Sequence, residues 1–126
     1  MKTTQGWMLM FAALFLLVLG GTVLAGDGET GTWTGEIVDI ACYTANGDDG
    51  RGADHAGCAK GCVKGGQPMG LLTDDGTLVL LAADHGDGKP YEALKDLAGE
   101  MAVVMGSLAE KDGMKVVTVT GSKAAG

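Results

Sequence analysis

The sequence predicts a mainly β domain with short helices. It reads as an OB-fold-like five-stranded barrel with a Cys- and His-bearing helix inserted between strands 1 and 2. Three observations lead there. Short, β-branched apolar runs alternate with glycine- and aspartate-rich turns across residues 32–121. Their order is strand, helix, strand, strand, helix, strand, strand, and a helix between the third and fourth of five strands is the OB order. Glycine supplies 23 of 126 residues with no Gly-x-y repeat, which excludes collagen and suits strands that bend at barrel corners. A small open α+β sheet with both helices on one face is the alternative.

Residues 1–25 read as a signal peptide. Lys2 precedes an apolar run from Trp7 to Leu19, Gly20-Gly21 break it, and Val23-Leu24-Ala25 offers small residues for cleavage before Gly26. The alternative is a retained anchor helix, but the run of 13 residues is shorter than the roughly 20 that span a bilayer. No Cys follows the run to carry a lipid. The expected product is exported, periplasmic or extracellular, and not stably inserted in a membrane once the signal is cleaved. In such a compartment thiols pair unless a metal holds them.

Residues 26–31 form a polar, flexible lead-in, and 32–121 the domain. Residues 32–40 alternate as a first strand, and 43–53 are an acidic loop. Asp54 caps a helix over 55–64, which Gly65-Gly66 stop. Residues 69–73 and 77–82 are strands joined by Asp74-Asp75-Gly76. Pro90 opens a helix over 90–98 that Gly99 ends. Residues 101–108 and 115–120 pair across an Asp-Gly turn, and 122–126 form a disordered tail.

Lys2 is the one charge in the first 25 residues, so the remainder holds 8 basic against 16 acidic side chains, a net charge of −8. That balance argues against nucleic acid and anionic membrane surfaces as partners. Trp33, Tyr43 and Tyr91 are too few for a base-stacking platform.

The chemistry concentrates in one constellation: Cys42 after strand 1, then His55-Ala-Gly-Cys58-Ala-Lys-Gly-Cys62, with His85 in a later loop. On a helix, 55, 58 and 62 form one stripe. Thiolate with imidazole suits copper or zinc. His55 and Cys62 stand about 10.5 Å apart along a regular helix, so both reach one ion only if the first turn unwinds. Cys58 and Cys62, one turn apart, share an ion readily, and Cys42 with His55 or His85 completes a set of four. The competing reading is a disulfide from Cys42 to Cys58 or Cys62, worth about 2–4 kcal/mol to a small exported domain. It leaves an odd thiol unexplained. A third reading is a redox thiol, although C-x3-C is not the usual C-x2-C.

The C-x3-C spacing resembles that of copper chaperones for cytochrome oxidase assembly, which add a distant His. Those have a thioredoxin-like fold, and this chain lacks its βαβ pattern, so the likeness stops at the spacing. A wider resemblance rests on Gly35-Glu-Ile-Val-Asp-Ile-Ala-Cys-Tyr43, on His55 through Cys62, on Gly66-Gln-Pro-Met-Gly-Leu-Leu72 and on residues 99–106. These segments resemble a group of small exported bacterial proteins, similar in layout to bacterial periplasmic OB-fold proteins. The resemblance implies a shared fold and a shared Cys/His cluster, and no reaction.

The remaining features carry less. His85 between Asp84 and Asp87 reads more readily as a solvated loop residue than as a ligand or proton carrier. The Asn46–Gly50 loop misses the EF-hand calcium register. Met101 and Met105 share a strand face and are expected in the core rather than on copper. No phosphate-binding glycine loop is present, and Ser107 and Ser122 have no legible His/Asp partners, so nothing points to an enzyme. The expectation is a metal-binding domain for carriage, sensing or structural support. Its partners would be a metal donor or acceptor, or an unidentified protein.

Overall fold

The computed structural model describes residues 28–126; the signal-peptide reading and the first two lead-in residues lie outside that range. Strand β1 (Glu29–Asp39) leads into helix α1 (Ile40–Asn46), and two 3-10 turns, Gly47–Gly50 and Ala53–His55, precede α2 (Ala56–Lys64). Strands β2 (Met69–Leu72) and β3 (Leu78–Ala83) follow. Helix α3 (Lys89–Leu94) and a 3-10 turn precede β4 (Met101–Lys111) and β5 (Met114–Ala124). Among the described residues no helix is long and apolar enough to cross a membrane.

The five strands close into a barrel in the order β1-β2-β3-β5-β4. All pairings are antiparallel except β3 with β5, which run parallel from Leu80↔Val116 to Ala83↔Val119. This is the OB-fold-like arrangement expected, and the open-sheet alternative is not formed. Strand β1 serves both edges: Glu29–Glu36 pairs with β4 and Glu36–Asp39 with β2. The changeover falls at Glu36; at Gly35 beside it a Cβ would sit 2.5 Å from the Leu72 carbonyl oxygen, so a larger residue would force the strands apart.

The core gathers Ile37, Leu71, Leu81, Val104, Val117 and Val119 from the strands with Ala59 and Val63 from α2 and Leu94 from α3. Ala59 and Val63 are i and i+4, one face of α2, which seats that helix on the barrel.

Several boundaries differ from the sequence reading. Residues 29–31 are not a flexible lead-in but the start of β1, paired with Leu108, Ser107 and Gly106. The tail is ordered as strand through Ala124; Ser122 Oγ donates to the Pro90 carbonyl at 2.7 Å and the Ala125 amide to Met101 at 3.0 Å. Both ends are held because β4 is long enough to pair with each. The acidic loop begins as a helix, α1, and His55 rather than Asp54 stands at the N-cap of α2, because the chain enters through a 3-10 turn. On β4 the inward positions are Ala102, Val104 and Gly106, so Met101 is 41% exposed and Met105 half-buried, neither in the core.

Candidate metal centre

The site lies where β1 ends and two helices meet. Asp39, the last residue of β1, caps α1: its Oδ1 accepts from the Ala41 amide at 2.9 Å and the Cys42 amide at 3.4 Å. Aspartate is a strong N-cap because it satisfies amides that the first turn leaves free. The cap sets Cys42 in the first turn of α1 rather than in an irregular loop. Cys58 and Cys62 sit one turn apart on α2, beside the Ala59–Val63 face that the core buries.

Two contacts hold the segment that brings α2 back to α1. Glu36, 6% exposed, accepts from the Gly52 amide at 2.5 Å and pairs with Arg51 Nε at 3.1 Å. Gly50 packs against the Cys42 carbonyl so closely that any Cβ would collide with it. On the far side Lys60 pairs with Glu100 at 2.6 Å and Lys64 with Asp96 at 2.5 Å, tying α2 to the chain that enters β4.

As a result the Sγ atoms of Cys42, Cys58 and Cys62 all lie within 4.8 Å of one another. Cys42 and Cys62 are half-buried and Cys58 is exposed, so the cluster opens to solvent. All three are free thiols, and the disulfide alternative is not formed.

Neither histidine belongs to this group, contrary to the expected fourth ligand. His55 ends the 3-10 turn before α2, off the helical stripe that would have aligned it with Cys58 and Cys62; its Nε2 is buried without a hydrogen-bond partner. His85 is exposed in a loop held by Asp84, whose Oδ1 accepts from the Gly86 and Asp87 amides at 2.7 and 3.1 Å.

The residue that sequence reasoning missed is Asp39. It is fully buried, and its Oδ2 has no hydrogen-bond partner of good geometry among the described residues. The carboxylate lies against the Cys42 and Cys62 thiols. Hydrogen bonding to Asp39, then burial and the Asp39 charge, push the Cys42 thiol up to about 12. Cys62 is raised too, chiefly by its hydrogen bond with Cys58, then by burial, with Asp39 adding to it. The available signal was only that Asp is a favoured N-cap residue, masked because Asp39 also completes the alternation of β1 and the residues after it are mostly weak helix formers.

These shifts shape the chemistry. A redox or nucleophilic cysteine needs its thiolate favoured at neutral pH. Cys42 and Cys62 move the other way. Three sulfurs at this spacing can instead converge on one soft or borderline ion, which displaces their protons on binding. Two grooves on the described barrel surface lie elsewhere: one is lined by Ile40, Leu78 and Met114, the other by Trp33, Asp75 and Lys115.

The chain has no significant match among protein-family models, curated proteins or solved structures.

Proposed function

We propose that this protein is a small exported domain that binds one copper or zinc ion through Cys42, Cys58 and Cys62. The observation that carries the reading is the convergence of three free sulfurs, contributed by two helices, within 4.8 Å of one another. Export rests on the n-region, apolar run and small-residue cleavage pattern of residues 1–25. Carriage or sensing fits better than structural support. The core of Ile37, Leu71, Val104 and their neighbours includes none of the cysteines, and Cys58 faces solvent. An ion that the core does not need, held at a surface, can be passed to a donor or acceptor partner. No catalytic role is read into the site.

The test is the mass of the mature protein under native and then denaturing conditions, after exposure to Zn2+ or to copper(I) under reducing conditions. The expected result is one metal per chain, lost on denaturation, with three free thiols. Cys42→Ser, Cys58→Ser and Cys62→Ser should each abolish stoichiometric binding. A protein that takes up no metal, or a mass short by two hydrogens in material from its native compartment, overturns the reading.

A further inference from the structure

Asp39 is the most anomalous group among the described residues. Burying a carboxylate is costly unless a cation or several hydrogen bonds compensate it. Here Oδ1 is satisfied by two amides, while Oδ2 has no hydrogen bond of good geometry and only the neighbouring thiols beside the carboxylate. Asp39 takes part in none of the ion pairs found among the described residues: Arg51 turns to Glu36 and Asp48, and Lys60 and Lys64 to Glu100 and Asp96. The α1 cap would need only one oxygen. The second is buried without a partner, on a residue that neighbours the Cys42 and Cys62 thiols, where a cation would relieve it.

We propose that Asp39 Oδ2 is the fourth donor of the Cys42–Cys58–Cys62 centre, which makes the centre a site for a divalent, tetrahedral ion of the zinc kind rather than for copper(I). The inference rests on the metal-binding reading above and sharpens it. Oxygen donors suit divalent ions of intermediate softness, whereas copper(I) is satisfied by thiolates alone. An anionic fourth donor also adds charge that a divalent ion compensates better than a monovalent one. Because the α1 amides hold Oδ1, the carboxylate is oriented before any ion arrives. Asp39 sits against Cys42 and Cys62 and outside the mutual 4.8 Å group, so it closes on an ion from their side. His55 is the rival fourth donor through its own unpartnered Nε2, and the variants below separate the two.

The experiment titrates Co2+, Zn2+ and copper(I) into the reduced protein and into Asp39→Asn, with chelator competition for affinity and the visible Co2+ bands for coordination. Asparagine caps a helix as well as aspartate does, so the variant keeps α1 and loses the anionic donor. The wild type should bind one Co2+ with intense tetrahedral bands. Asp39→Asn should shift those bands and bind Zn2+ about tenfold or more weakly, with copper(I) affinity changed less than about threefold. Asp39→Ser, also a good cap, provides a second folded variant; added imidazole should enter its vacant position and move the Co2+ bands again. Unchanged bands and Zn2+ affinity in both variants overturn Asp39 as a donor while leaving the three-thiol site standing. So does a wild type that binds copper(I) but neither divalent ion. A wild type that binds none of the three overturns both readings, and loss of the Co2+ bands in His55→Ala but not in Asp39→Asn assigns the fourth donor to His55.

Discussion

Asp39 caps the helix that carries Cys42, and its carboxylate lies against that residue's thiol. One side chain thus fixes where a sulfur stands and which protonation state it prefers. The helix start and the cluster are coupled through it, and several outcomes follow from that coupling.

The metal-free protein should lose stability in alkali. The Cys42 thiol is raised from 9.0 to about 12 in the folded state, so its protonated form favours folding. That contribution is whole below pH 9, where the unfolded thiol is also protonated, and is lost as pH rises from 9 toward 12. Thermal melts of the reduced protein across that window should show a falling Tm, and Cys42→Ala should flatten the fall. An equally steep decline in the variant would place the alkaline lability elsewhere.

Metal uptake should release protons. Cys42 and Cys62 both hold theirs at neutral pH, and a metal binds the thiolate. Calorimetric titration with Zn2+ in two buffers of different ionisation enthalpy should report at least two protons released per ion, and apparent affinity should climb with pH. A heat independent of buffer would show that the thiols do not lose protons on binding.

Glu36 should matter beyond its own contacts. It holds the Gly52 amide and Arg51 on the segment that returns α2 to α1. Glu36→Gln keeps an acceptor for the amide and should cost less than about 1 kcal/mol, since Arg51 is partly exposed. Glu36→Ala leaves the amide unpaired and should cost about 1–3 kcal/mol in urea unfolding. It should also weaken metal binding more than Glu36→Gln does, because α2 is then less firmly placed.

Helix α2 should depend on its buried face rather than on its ion pairs. Val63 is fully buried in the core, so Val63→Ala should cost about 2 kcal/mol through lost burial and a residual cavity. Lys60→Ala removes a solvent-exposed pair with Glu100 and should cost less than about 1 kcal/mol. Chemical denaturation of both variants checks the ranking.

Much of the barrel was legible because its signals are local. The Asp112-Gly113 turn, both residues at positive φ, follows from the dipeptide, and the stop after Lys64 follows from Gly65-Gly66. Cys58 and Cys62 were legible as a pair because i and i+4 face the same way on any helix. What failed were features with two readings at one position. Asp39 closes a strand and opens a helix; Met101 and Met105 share a face, and alternation alone does not say which face is inward. His55 fell off the helical stripe because a 3-10 turn precedes α2, a choice that the residues 53–55 do not announce.

The sequence by itself determined the strands, their turns, two of the three short helices, the acidic charge and the presence of three sulfurs in a span of 21 residues. Only the tertiary structure decided that β3 and β5 pair in parallel, that Cys42 joins Cys58 and Cys62 while both histidines stay out, and that a buried carboxylate oxygen is left unpartnered beside them. The division has one physical cause. Turns and periodicity are set by forces between residues a few positions apart, whereas the meeting of two helices depends on closure of a barrel whose strands run from Glu29 to Ala124.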